Sequence, residues 1–531
     1  MRVTFYTITG IIAILLAFIA CPNYVKHKDT GYERHSGGGI DIKSDICKDA
    51  LDFSYSSGGS AIPNDQPYDL TYFEDYGTNP FISTEDRKTS TFGMDVDTAS
   101  YTIARRFLLD GNMPDKDSVR VEEFINYFKQ DYPEPKGNSV FSISLEGARS
   151  GFGKPNYHLL KIGIKARDAS MHDRPPANMI FVVDVSGSMD REDRLEQVKK
   201  SLTMLADNLK RGDRIGLVTY GSSGQVISDL TSDHNAIIRA IGRLRPGGST
   251  NAEEGLKLAY RMARRNCDEE KINRIILCSD GVANVGNTSA DVILDQVKAD
   301  AVSGITLTTI GFGMGNYNDV LLEKLANHGD GMYYYIDNAA EAEKVFGGGA
   351  TQMLYVLASD AKIQVEFNDK TVDRFRLLGY ENRRLSQEDF KDNSVDAGEV
   401  GAGQTVTALY EIRIKENALK NTSARIATVR VRYMDLRADE IRTEEEPVNV
   451  GMVNHKFGKA SCEFRFTAAV AEFAELLKES VWSENGSFAE VRRIADNCAG
   501  NYDEREFVDL VDKTIQLSNR QGLGSVKVRG E

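Results

Sequence analysis

The period of the hydrophobic positions changes several times along the chain, and each change marks a different kind of element. Residues 1–20, "MRVTFYTITGIIAILLAFIA", put one Arg ahead of an almost unbroken apolar run that closes on Ala20, just before Cys21. From 22 to 90 apolar periodicity is lost, and the stretches "HSGGGID" and "SSGGSAIPND" predict a flexible linker. Order is expected from 91, where "STFGMDVDTASYTIARRFLLDGNMP" carries a short strand-like run into a helix with Tyr101, Ala104, Phe107 and Leu108 on one face. A second helix is expected in "SVRVEEFINYFKQDYP", stopped by its Pro. The period then falls to two in "SVFSISLEGA" and "NYHLLKIGIKARD", which predicts two neighbouring strands before residue 177.

Between 178 and 350 continuous apolar runs alternate with amphipathic ones. The strands expected are "NMIFVVD", "DRIGLVTYG", "INRIILCSD", "GITLTTIGFG" and "GMYYYID". Helices are expected at "DRLEQVKKSLTMLADNL", "DHNAIIRAIGRL", "AEEGLKLAYRMARR", "SADVILDQVKADAV" and "DVLLEKLANH". Strands apolar on both faces, separated by helices, predict a doubly wound α/β domain around a mainly parallel sheet. The period of two returns at 351–455 in "AKIQVEFND", "FRLLGYE", "TVTALYEIRIKE" and "ATVRVRYMD". Two strands alone are marginal in water, so the earlier pair needs these later strands as partners, and the α/β domain is expected as an insertion in a β-sandwich. Residues 456–531 are expected to be helical, with Val470, Phe473, Ala474, Leu477 and Val481 as one stripe and "EREFVDLVDKTIQL" as another.

Composition narrows the partners. With 65 basic against 79 acidic residues the net charge is −14, and no block of sequence supplies the basic stripe that nucleic acid requires. Six cysteines leave an odd number once Cys21 is set aside, so at least one stays unpaired in a monomer. Cys278 lies in the apolar "INRIILCSD" as a small core residue, while the spacing of Cys462 and Cys498 leaves their pairing open. Seven histidines occur, none within a recognisable catalytic motif.

In an open parallel sheet, ligands bind where the carboxyl ends of the strands meet. Asp184 ends one strand there, and the loop "SGSM" adds Ser186 and Ser188 around a permissive Gly187. Asp280 ends a second strand in "LCSDG", and "PGGSTNAEEG" sets Thr250 at the start of a helix. Three hydroxyls and two carboxylates are oxygen-only donors, which select a hard cation, Mg²⁺ before Mn²⁺ or Ca²⁺. Two protein charges leave the shell open to a water or an outside carboxylate.

"DVSGSM", the Thr of "GGSTN" and the Asp of "SDG" resemble the metal-ion-dependent adhesion site of von Willebrand factor type A domains. The resemblance implies Ser186, Ser188 and Thr250 as direct ligands, Asp184 and Asp280 acting directly or through water, and a protein partner that presents Asp or Glu. The flanks "FGMDVDTASYTIARRFL", "VRVEEFINYF" and "FTAAVAEFAELL" resemble the YfbK-type bacterial lipoproteins. Residues 1–21 likewise resemble a lipoprotein signal, which implies lipidation of Cys21 and a membrane-anchored protein of the bacterial cell envelope, facing the periplasm or the cell surface. No enzymatic activity is expected. Two alternatives stand beside this reading: a scaffold with a purely structural metal, and a phosphatase-like enzyme. For the latter, "MDVDTAS" resembles an aspartyl-nucleophile signature with Asp95 and Asp97, although Ala99 stands where Thr or Val belongs.

Overall fold

The computed structural model describes residues 73–152, 156–281, 290–313 and 318–520. The expected signal, Cys21 and the expected linker as far as residue 72 lie outside the described residues.

Six strands form the α/β sheet, in the order Tyr333–Ile336, Ile305–Phe312, Ile272–Ser279, Ala177–Asp184, Arg214–Tyr220 and Gly224–Thr231. The first five are parallel and the last is an antiparallel edge. Every residue of the central strand Ala177–Asp184 is buried, as its unbroken apolar run requires. Helices cover both faces over separate cores: Ile180, Val182, Leu256 and Leu277 on one side, Phe181, Val183, Val198 and Leu202 on the other. The edge strand Gly224–Thr231 was not among the expected strands. Its pattern of half-buried and exposed positions carries no apolar run, because one face of an edge meets solvent.

The sandwich draws on both flanks of this domain. One antiparallel sheet runs Ile82–Ser83, Val372–Leu378, Thr405–Ile414, Tyr157–Ala166, Phe141–Arg149. The other runs Arg384–Leu385, Thr89–Gly93, Val356–Phe367, Arg425–Asp435, Glu440–Asn449, with Gly398–Gly401 also on Val356–Phe367. Between the sheets lie Phe92, Ile162, Ile363, Val365, Ile412 and Val429. The strands at 141–166 thus find their partner in Thr405–Ile414, as the insertion argument requires.

Three expectations need correction. The linker expected over 22–90 is folded at its end: Phe73 is buried in the α/β core, and Ile82–Ser83 and Thr89–Gly93 pair into the two sheets. These strands are too short for periodicity to reveal. Glu440–Asn449 was missed because "EIRTEEEPVN" is polar on its exposed face. Val481 does not continue the apolar stripe; the helix Cys462–Leu477 ends before it, Glu479 takes a left-handed φ of 54°, and Val481 is exposed.

The C-terminal helices Cys462–Leu477, Phe488–Asp496 and Tyr502–Arg520 share one core with the early helices Ala99–Leu109 and Val121–Tyr127. Phe128 packs edge-on against both Phe466 and Phe507 across this core. Cys278 is fully buried, and Cys462 and Cys498 are free thiols. Burial and the adjacent Cys462 push the Cys498 thiol up to about 12. No helix among the described residues is long and apolar enough to cross a membrane.

Candidate metal centre

Asp184 closes the central strand at the carboxyl edge and is fully buried. It is held from two sides: the Ser186 amide donates to its Oδ1 at 2.8 Å and the Ser279 hydroxyl to its Oδ2 at 3.3 Å. The chain then turns into a short 3₁₀ segment, Gly187–Asp193, which brings the Ser186 and Ser188 hydroxyls within 2.9 Å of each other.

The loop that carries Thr250 is laced to this turn by backbone. Gly247 N donates to Val185 O at 2.7 Å, and Gly187 N donates to Gly248 O at 3.0 Å. Gly248 has φ +91°, and an added Cβ would collide with Ser222, so glycine is required for the approach. Asn251 then caps the helix Ala252–Asn266 by accepting from Glu254 N. Thr250 itself is half-buried at this junction.

Asp280 follows the adjacent strand and is 4 % exposed. Arg194, first residue of the helix Arg194–Asp207, donates from Nη1 to Asp280 Oδ2 at 2.9 Å. Burial raises the Asp280 carboxyl, and the Ser188 hydroxyl and the Arg194 guanidinium pull it back. Burial and the Asp280 charge together push Asp184 up to about 7.

The structure therefore gathers Asp184, Ser186, Ser188 and Asp280 and seats the Thr250 loop against them. Sequence reasoning missed Arg194 and Ser279. Ser279 was visible beside Asp280 in "CSDG", whereas nothing local marks Arg194 as the partner of a residue 86 positions away.

As a donor set the group fits a hard cation: two crowded buried carboxylates, with one guanidinium engaging one of them among the described residues, beside two hydroxyls 2.9 Å apart. Arg194 donates to one Asp280 oxygen, and the Ser188 hydroxyl also bonds this carboxyl.

Asp95 and Asp97, the alternative pair, sit elsewhere and are 3 % and 4 % exposed. Arg383 Nε donates to Asp95 Oδ2 at 2.9 Å and its Nη2 to Asp97 Oδ2 at 3.3 Å. Asp97 Oδ1 accepts from Tyr333 N at 2.8 Å, which ties this turn to the last parallel strand of the α/β sheet.

Sequence comparison agrees with this architecture. The von Willebrand factor type A domain profile matches residues 179–282, a von Willebrand factor profile residues 68–161, and the profile of the C-terminal part of YfbK residues 352–517. The YfbK protein of Escherichia coli (strain K12) is 34% identical over 467 residues, spanning 83% of this chain and 80% of that one. The chain belongs to the YfbK family. Protein sll0103 of Synechocystis is 33% identical over 42% of this chain and 53% of its own length. Inter-alpha-trypsin inhibitor heavy chain H3 of Pongo abelii is 26% identical over 45% of this chain and 29% of its own. The YfbK relationship covers both flanks as well as the α/β domain, whereas the last two relatives share less than half of this chain.

Proposed function

We propose that this chain is a non-catalytic, metal-dependent protein-binding module of the bacterial cell envelope, with its recognition site at the carboxyl edge of the α/β sheet. The observation that carries the proposal is the convergence of Asp184, Ser186, Ser188 and Asp280 with the Thr250 loop. Bound there, Mg²⁺, or Mn²⁺ or Ca²⁺ in its place, would supply a Lewis-acidic position for a carboxylate of the partner. The chain's own residues do the rest. The Asp184 carboxylate is fixed by Ser186 N and Ser279, the Ser186 and Ser188 hydroxyls would add neutral donors, and Arg194 orients Asp280. An acidic partner segment would otherwise be repelled by a chain of net charge −14, so recognition depends on the ion.

The test is to immobilise the full chain, capture envelope proteins in Mg²⁺ and elute with chelator. Thr250→Ala is expected to reduce capture about tenfold or more while leaving thermal unfolding nearly unchanged, because Thr250 is half-buried and packs into no core cluster. Equal capture with chelator present, or by the Thr250→Ala form, would favour the purely structural metal. The phosphatase-like alternative has less support, since Asp95 and Asp97 are both engaged by Arg383.

Location rests on Cys21. The lipid on Cys21 makes the membrane attachment, so Cys21→Ser is expected to move the protein from the membrane pellet to the soluble fraction. A mutant that still pellets after carbonate washing would point to an uncleaved apolar helix instead.

A further inference from the structure

At the opposite edge of the α/β sheet, a second group of carboxylates spans the junction with the sandwich. Asp330 lies in the turn between helix Asp319–His328 and strand Tyr333–Ile336. Asp360 sits at an irregularity of strand Val356–Phe367, where the register with its neighbours shifts. Asp396 precedes, and Glu399 lies in, the strand Gly398–Gly401 that pairs with it. Oxygens of Asp330, Asp396 and Glu399 all lie within 4.8 Å of one another. Asp360 adds a fourth charge, felt by Asp330 and Glu399, and is itself raised by Asp396.

Glu399 is the informative member. It is 8 % exposed, its oxygen faces the other two carboxylates, and among the described residues it makes neither a hydrogen bond nor an ion pair. A buried carboxylate is ordinarily paired or bound to a metal. The cations nearby are not paired with it. Arg383 is engaged by Asp95 and Asp97, and Arg274, itself buried, donates from Nη1 to Thr308 Oγ1 and Met353 O. Lys298 approaches from helix Ala290–Val302 without forming an ion pair to any of the four among the described residues.

We propose that Asp330, Asp396 and Glu399, with Asp360 beside them, form a calcium site that fastens the base of the α/β domain to the sandwich. Oxygen donors no more than 4.8 Å apart fit around one ion, since opposite ligands in a Ca²⁺ shell at about 2.4 Å are separated by about twice that distance. Several carboxylates in an irregular arrangement suit the flexible six- to eight-oxygen shell of Ca²⁺; Mg²⁺ demands a tighter octahedron and keeps its waters. Asp330 belongs to the inserted domain and the other three residues to the sandwich, so the ion closes a contact that carboxylate repulsion otherwise opposes.

The experiment uses the full chain carrying Asp184→Ala, which removes a carboxylate from the other edge and keeps the two sites separable. Thermal unfolding is followed in chelator, in millimolar Ca²⁺ and in millimolar Mg²⁺. Ca²⁺ is expected to raise the unfolding temperature by about 3 °C or more, and Mg²⁺ by much less. Adding Asp396→Asn, at an exposed position, or the near-isosteric Glu399→Gln is expected to abolish the Ca²⁺ shift. No shift in the Asp184→Ala protein, or a shift that survives both substitutions, would overturn the site. An equal response to Mg²⁺ would overturn the calcium assignment. None of these outcomes bears on partner capture at the opposite edge, so the two proposals fail separately.

Discussion

Asp184→Ala is expected to weaken Mg²⁺ binding at the carboxyl edge by about 100-fold or more while the protein remains folded. Supporting groups around a metal already contribute roughly 10- to 100-fold to affinity, and a charged member of the shell contributes at least as much. The fold tolerates the change because Asp184 and Asp280 are two buried like charges, and their mutual repulsion ends when one becomes apolar. What is lost in return is two hydrogen bonds, from Ser186 N and the Ser279 hydroxyl. Each is worth about 1 kcal/mol, a loss a folded protein of ordinary stability survives. Calorimetric titration with Mg²⁺ beside circular dichroism decides it: unchanged affinity in a folded mutant would remove Asp184 from the site, and with it the proposed recognition chemistry.

Much of this site was legible because its signals are local. An apolar run ending in Asp184, followed by two serines around a glycine, needs only a parallel-sheet context to place it at a ligand-binding edge, and the alternation of runs supplies that context. Thr250 was legible through the glycines before it. Arg194 was not, because its role depends on a helix start and a strand end that meet only in the fold. The junction carboxylates were illegible for the same reason: Asp330, Asp360, Asp396 and Glu399 each look like a solvated loop or edge acid, and only the bulged strand Val356–Phe367 and its partner Gly398–Gly401 bring them to Asp330. Period also failed where a strand has one exposed face, as in Gly224–Thr231 and Glu440–Asn449, or only two residues, as in Ile82–Ser83.

The joint between the early helices, the α/β domain and the C-terminal helices depends on one residue that the sequence leaves unremarkable. Arg105, 3 % exposed, donates from Nε and Nη2 to both oxygens of Asp337 at 2.7 and 2.6 Å. It also reaches Glu341 and Glu506 at 2.9 Å and the Tyr127 hydroxyl at 2.6 Å. Asp337 follows the last parallel strand of the α/β sheet and Glu506 lies on the final helix, so one guanidinium ties three parts of the chain together. The fork geometry of arginine suits this and lysine does not reproduce it. Removing the cation strands Asp337 and Glu341 in a buried setting, which in comparable pairs costs about 3–5 kcal/mol. Arg105→Ala is therefore expected to lower the guanidinium-chloride midpoint sharply at unchanged slope, and Arg105→Met to do nearly the same, since apolar volume without charge leaves the acids uncompensated. Pairing Arg105→Met with Asp337→Leu is expected to recover part of the loss, because an apolar replacement of a whole buried pair is often close to neutral. A loss below about 1 kcal/mol for Arg105→Ala, the range of exposed ion pairs, would mean that water reaches these carboxylates and that other contacts, such as Arg120 with Asp319 and Asp97 with Tyr333 N, hold the joint.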